Sequence, residues 1–153
     1  MGMAMRVPMP ARAAYTEDCR APRGAVWVLG IPVGAEVRRL RRVRYADDIP
    51  LAVLDNILPL GRNLPADDEL ASTGLHDALR RHGIVVASFT QSITARGATE
   101  DEAALLDIGP GEPVLSVDRV SYDDDRCSIE YGQLAIRADI YSIAAVLDPS
   151  RSC

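Results

Sequence analysis

Cysteines, aromatic residues and long apolar runs are scarce in this sequence, and each shortage excludes a class of protein. The three cysteines, Cys19, Cys127 and Cys153, are odd in number and widely spaced, which fits neither a disulfide framework nor the paired ligands of a zinc site. No apolar stretch approaches the ~18 residues of a membrane-spanning helix, and prolines interrupt the first ten residues, where a secretory signal would lie. We therefore expect a cytoplasmic protein with no membrane partner, no metal site and no cofactor.

The balance of charge argues against nucleic-acid binding by the chain as a whole. Seventeen basic residues against 22 acidic ones give a formal net charge of −5, which repels a phosphate backbone at long range. Aromatic residues make up only 5% of the chain, too few for the stacking platforms that bind single strands. One segment is strongly basic and contains Arg38, Arg39, Arg41, Arg42 and Arg44. Because neighbouring arginines in a strand point to opposite faces, this segment does not form one basic surface that could bind nucleic acid.

The length of 153 residues and the 48% hydrophobic content fit one globular domain. Residues 1–24 carry prolines and mixed charge without a sustained period, so we expect an irregular lead-in there. Two β-rich stretches follow at 35–45 and 51–58, separated by acidic residues and a proline. This pattern predicts a hairpin.

The middle of the chain has the signals of a helix followed by a strand. Ser72 or Thr73 is a suitable N-cap for a helix with apolar residues at a three-to-four spacing, and Gly83 supplies a left-handed stop. Residues 84–96 have the β-branched and hydroxyl content of a strand. We expect this strand to be long.

The second half predicts another helix and a final hairpin. Thr99 and Glu102 form a capping box ahead of an apolar run. Residues 114–122 and 129–136 flank an acidic turn and read as two paired strands. Because strands cluster at both ends with helices between them, we predict an α+β fold with a mainly antiparallel sheet and helices packed against it.

Two arginines and two hydroxyl residues are candidates for a binding site. Alternation along a strand puts Arg42 and Arg44 on one face, about 6.6 Å apart, and does the same for Ser88 and Thr90. Guanidinium groups hold carboxylates and phosphates bidentately, and hydroxyls add hydrogen bonds without repulsive charge. If the four side chains converge, the ligand is a small anionic metabolite. The alternative is a solvated, charged sheet face, which the spacing alone favours.

The remaining polar residues give little support for catalysis. Glu130 lies inside the last predicted strand, where it could receive a ligand amine or hydroxyl or serve equally as an ion-pair partner. The sequence has no Gly-x-Ser-x-Gly elbow and no phosphate-cradling glycine loop. His76 and His82 are six positions apart on one predicted helix and therefore lie on different faces. We expect that the protein is not an enzyme.

Several motifs, taken in order, resemble the UTRA domain of the HutC subfamily in the GntR superfamily. They are LHDALRRHGI, then A-x-x-x-E-A-x-x-L-x-I-x-x-G-x-P-V-L, then E-Y and the R-x-D-x-Y ending. The resemblance covers residues 13–147, between predicted tails at 1–12 and 148–153. It implies a chorismate-lyase-like fold in a homodimeric transcription regulator that senses a small metabolite such as a phosphosugar or a carboxylate.

The resemblance also implies roles for particular residues. In family members the positions matching Arg42, Arg44, Ser88 and Thr90 hold an acidic or phosphate group of the effector, and the position matching Glu130 contacts the rest of it. This sequence departs from the family where a carboxylate is replaced by Leu54, and where an aromatic pair is replaced by Ala135 and Ile136. The opening motif YTEDCRAPRG also runs almost at once into AVWVLGIP, so we expect the first strand to be missing or supplied differently.

Twelve residues precede the first family-like position, too few for a winged helix-turn-helix. We therefore expect DNA contact only through such a domain outside this chain.

Two alternatives to a metabolite-sensing function stay open. One is a chorismate-lyase-like enzyme in which arginines hold a dicarboxylate and Glu130 protonates a leaving group. The other is a dimerisation module without a pocket, in which Leu54, Ala135 and Ile136 fill the cavity.

Overall fold

The strands predicted from β-branched content pair into one antiparallel sheet. The computed structural model describes residues 11–149, and its six strands follow the order β1-β2-β3-β6-β5-β4. In chain order, the elements are β1 (Ala11–Arg20), α1 (Arg23–Leu29), β2 (Glu36–Ala46), β3 (Ile49–Pro59), α2 (Asp67–Ser72), α3 (Leu75–Arg81), β4 (Ser88–Gly97), α4 (Glu100–Leu106), β5 (Pro113–Tyr122) and β6 (Ser128–Arg137). Every strand pair is antiparallel, which confirms the predicted α+β class.

Helices cover both faces of the sheet. On the first face, which we call the α3 face, Leu40 and Leu58 of the sheet pack with Leu70, Leu75 and Leu79 of α2 and α3. Each of these five leucines is at most 5% exposed, so they form the core of this layer.

The opposite face, which we call the α4 face, packs against α1 and α4. Its apolar residues come from alternate positions of the central strands, as expected when one row of side chains is buried. Val43, Val53 and Ala135 contact Ala103 and Leu106 of α4. A second cluster joins α1 to the other end of the same face.

The N-terminal part corrects the prediction of an irregular lead-in and a missing first strand. β1 pairs with β2 from Ala11 to Arg20 and supplies an edge strand. Its acidic residues match the arginines opposite: Asp18 lies 2.9 Å from Nε of Arg38, and Glu17 lies 3.7 Å from Nη1 of Arg39. Cross-strand charge pairing therefore stabilises a strand that has weak apolar periodicity. The predicted tails at 1–12 and 148–153 lie largely outside the described residues.

Most of the other predicted elements are present, with shifted ends. Thr99 and Glu102 form the predicted capping box of α4. The helix predicted to start after position 72 or 73 is capped by Gly74 without a side-chain bond, because the Ser72 hydroxyl instead bonds to backbone carbonyls inside α2. β4 starts at Ser88 rather than at 84, since Ile84 packs into the α3-face core. In the described part of the chain, no helix has the length and apolarity needed to cross a membrane.

Candidate ligand-binding site

A cavity of about 220 Å³ lies between the α3 face and the first turn of α3. Pockets for drug-sized ligands run to roughly 300–1,000 Å³, so this one suits a small metabolite. Its polar lining comes from side chains on four strands and α3, namely Arg42, Arg44, Asn56, His76, Asp77, Arg119 and Glu130.

Two of these cations, Arg42 and Arg44, have unused hydrogen-bonding capacity at a buried atom. Arg42 is 4% exposed, and its Nη2 donates to Oδ1 of Asn56 at 2.8 Å. The Nε atoms of Arg42 and Arg44 are buried and have no hydrogen-bond partner among the described residues. Burial, followed by repulsion from Arg44, lowers the pKa of Arg42 to about 10. Arg42 therefore remains a cation at neutral pH, with a donor left for another molecule.

Arg119 brings a third cation to the cavity from β5. Its Nε and Nη2 both donate to Oε1 of Gln91, and the guanidinium lies 4.6 Å from the centroid of the Phe89 ring. Burial lowers the pKa of Arg119, Glu130 raises it and Arg44 lowers it further, with a net shift downward. The two β4 side chains thus orient the Arg119 guanidinium without neutralising it.

Glu130 is the buried anion of the site and is 2% exposed. Asn56 Nδ2 donates to Oε1, and Ser121 Oγ donates to Oε2 at 2.8 Å. His76 Nε2 lies 3.8 Å from Oε2, too far for a direct hydrogen bond. Burial raises the pKa of Glu130, but the approach of His76 and the donors Asn56 and Ser121 outweigh it, so this pKa lies below its ordinary value. Glu130 is therefore held as a carboxylate.

Gly132 gives Asn56 and Glu130 the room to meet. It lies opposite Asn56 in the β3–β6 pairing. A Cβ atom at position 132 would be 2.8 Å from Glu130 Oε1 and 3.1 Å from Asn56 Nδ2. A glycine inside a strand often marks such a close approach.

The structure brings together Arg42, Arg44 and Glu130 of the five predicted site residues. Ser88 and Thr90 are exposed and do not line the cavity. Thr90 lies opposite Val120, which lies opposite Tyr131 on the α4 face. Alternation along β4 correctly predicts that the two hydroxyls share a face, but it cannot tell which face. Their roles as ligand contacts stay predictions that this geometry does not support.

The basic segment of β2 is divided between the two faces, as the alternation predicted. Arg41 faces away from the cavity, where Asp55 Oδ2 lies 2.9 Å from its Nη2, and Arg39 Nε lies 3.0 Å from Asp55 Oδ1. Arg39 and Arg41 therefore form ion pairs within the domain. Only the arginines at even positions 42 and 44 reach the cavity from this segment.

Sequence reasoning missed five residues of the site: Asn56, His76, Asp77, Arg119 and Gly132. The glycine in the middle of a predicted strand was the only available signal for a close approach. His82, on the other side of α3, bonds to Glu69 at 2.8 Å, so the two histidines do lie apart. Residues 11–149 contain no cluster of three His, Cys, Asp or Glu side chains placed to hold a metal.

An antiparallel α+β domain with a small cationic cavity on one sheet face has the form of a ligand-binding domain. The sequence profile of the UTRA domain matches residues 17–142, and the chain belongs to this family of effector-binding domains of GntR-family regulators. Among its relatives is the HTH-type transcriptional repressor PhnF of Mycolicibacterium smegmatis, which is 31% identical over 88% of this chain and 56% of the relative. The chain spans about half the length of the curated relatives it matches.

Solved structures give the same assignment. A transcriptional regulator from Streptomyces coelicolor superposes with a TM-score of 0.81 at 32% identity, covering 92% of this chain and 95% of that one. The ligand-binding domain of a GntR-family regulator from Bordetella bronchiseptica superposes with a TM-score of 0.78 at 25% identity, covering 89% and 91%. Both likenesses span nearly the whole described fold.

Proposed function

We propose that this chain is the sensing part of a transcription regulator and binds a small anionic metabolite in the cavity beside Arg42, Arg44 and Arg119. The observation that carries the proposal is the pair of buried Nε atoms, on Arg42 and Arg44, without hydrogen-bond partners among the described residues. Buried donors in native proteins are almost always satisfied. An anionic ligand with two or more acceptor oxygens, such as a phosphate ester or a carboxylate, supplies what they lack.

Charge in the cavity supports the same conclusion. Three guanidinium groups face two carboxylates, those of Glu130 and Asp77, and Glu130 already accepts from Asn56 and Ser121. A buried charge without compensation costs several kcal/mol. An anion that enters the cavity offsets that cost, and this favours binding of anions over neutral molecules.

A binding role is favoured over chorismate-lyase-like catalysis. A general acid at neutral pH needs a raised pKa, whereas the pKa of Glu130 lies below its ordinary value despite burial. The cavity also argues against a dimerisation module without a pocket. Leu54 lines the cavity without filling it, and Ala135 packs toward α4 on the other face.

We propose that the chain forms a homodimer and that DNA is contacted only by a separate winged helix-turn-helix. β4 is an edge strand, and residues 88–95 carry no charge. Its Phe89 and Ile93 are 42% and 40% exposed. Edges of this kind favour pairing with another strand, whereas β1, at the other edge, carries Glu17 and Asp18, and charges discourage pairing.

Isothermal titration calorimetry with inorganic phosphate, phosphosugars and small carboxylates tests the ligand proposal. We expect at least one of them to bind. Arg42→Ala and Arg44→Ala should each weaken that binding about tenfold or more, because each removes a charge-assisted hydrogen bond to the ligand. Arg39→Ala is the matched control, because it removes the same charge from the opposite face of the same strand. If all these anions bind the wild type and the Arg42/Arg44 double variant alike, or if none binds, the proposal is wrong.

A further inference from the structure

A row of buried side chains crosses four strands beneath the cavity. Arg42 on β2 donates to Asn56 on β3, Asn56 donates to Glu130 on β6, and Ser121 on β5 donates to the other carboxylate oxygen. All four residues are at most 6% exposed. The row therefore joins a buried cation to a buried anion through a neutral amide.

The orientation of the Asn56 amide is fixed by its two partners. A guanidinium has only donors and a carboxylate has only acceptors. The amide oxygen must therefore face Arg42 and the amide nitrogen must face Glu130, in agreement with the 2.8 Å bond from Arg42 Nη2 to Oδ1. An uncharged amide suits this position because it offers an acceptor on one side and a donor on the other.

The amide keeps apart two charges that otherwise attract strongly. In a buried site a direct Arg–Glu ion pair would satisfy both partners, and the carboxylate would then neutralise the charge of the arginine. Here no direct ion pair joins Arg42 to Glu130 in the described part of the chain, and Arg42 retains an unpartnered Nε. Because Arg42 and Glu130 form no salt bridge with each other, the Arg42 guanidinium remains available to a ligand.

We propose that Asn56 is a positioning residue, which holds Arg42 away from Glu130 and so keeps the Arg42 guanidinium free to bind the anion. This inference rests on the proposed function, since it presumes that Arg42 binds an anion. Gly132 belongs to the same arrangement. A side chain there would occupy the space in which Asn56 and Glu130 meet.

A double-mutant cycle tests the inference, with inorganic phosphate or the tightest anion from the calorimetric panel as the probe. Asn56→Ala allows Arg42 to pair with Glu130, so we expect the affinity to fall about tenfold. Glu130→Gln removes the competing carboxylate. In that background, Asn56→Ala should change the affinity by less than about threefold, because no anion remains to capture Arg42.

Two further measurements separate positioning from general structural damage. Asn56→Asp in the Glu130→Gln background keeps the shapes of both side chains and moves the carboxylate next to Arg42. We expect the affinity to fall about tenfold relative to Glu130→Gln alone, with little change in melting temperature. This variant also serves if Asn56→Ala does not fold.

The outcomes distinguish the inference from the proposed function. If the wild type binds an anion through Arg42 and Asn56→Ala weakens it equally in both backgrounds, Asn56 is only structural and the inference fails alone. It also fails alone if Asn56→Ala leaves the affinity unchanged while Arg42→Ala does not. If the wild type binds no anion, the proposed function and the inference both fail.

Discussion

The substitution Gly132→Ala probes how tightly the buried polar row is packed. The added methyl carbon would lie 2.8 Å from Glu130 Oε1 and 3.1 Å from Asn56 Nδ2, well inside van der Waals contact. Neither neighbour is a flexible surface group, since Glu130 is 2% and Asn56 6% exposed. Accommodation requires the carboxylate or the amide to move and to weaken the bond between them.

The expected cost follows from two opposing effects. Overpacking in a dense interior costs about 1–3 kcal/mol, which here includes the strained bond between Asn56 and Glu130. Alanine restricts the unfolded chain more than glycine does, and this returns about 0.4–1 kcal/mol. We expect a net loss of about 1–2 kcal/mol in the free energy of unfolding, or a fall in Tm of roughly 2–8 °C for a domain of this size.

Chemical denaturation and calorimetric melting measure this loss. Gly24→Ala in α1 is the control, because a Cβ atom there meets nothing within 4 Å and alanine favours helix by about 0.5–1 kcal/mol. Gly24→Ala should leave Tm unchanged or raise it. Equal stability of Gly132→Ala, Gly24→Ala and the wild type would refute the claim that position 132 must lack a side chain.

Two other predictions concern Tyr131 and the β4 edge. Burial, and then the hydrogen bond to Asp118, raises the pKa of Tyr131 from 10.0 to about 12. The stability that this shift contributes is present below pH 10 and disappears as the pH rises through 12. Tyr131→Phe should remove the tyrosinate absorbance step near pH 12, and a step that persists there would contradict the assignment. In sedimentation, Ile93→Lys should convert dimers to monomers while Tyr15→Lys on β1 should not, because lysine on an edge blocks strand pairing only where pairing occurs.

The sequence predicted those helices and strands whose ends carry local signals such as capping residues. Thr99 and Glu102 predicted the start of α4 because a capping box is a contact within one helical turn. β1 was missed because its stability comes from a partner strand, through pairs such as Asp18 with Arg38. α2 was missed for a related reason: it is six residues long, and its burial depends on tertiary packing rather than on helix propensity.

The candidate site was predicted only in part for the same physical reason. Alternation along β2 correctly put Arg42 and Arg44 on one face. The last predicted strand offered Glu130 as a ligand contact or an ion-pair partner, and the resemblance to a family favoured the ligand contact. Alternation repeats every two residues, so it cannot decide which face of β4 joins the face of β2. The pairing registers of β4 with β5 and of β5 with β6 determine which face is shared. They bring Arg119, rather than the hydroxyls of β4, to the cavity.

The polar lining of the cavity is drawn from positions 42 to 130, on four strands and one helix. Because these positions are spread along the chain, the candidate binding site disappears when the sheet unfolds. By mass action, a ligand at 100 times its dissociation constant should then stabilise the native state by about 2.7 kcal/mol. A rise in melting temperature is therefore a direct screen for small molecules that bind this domain.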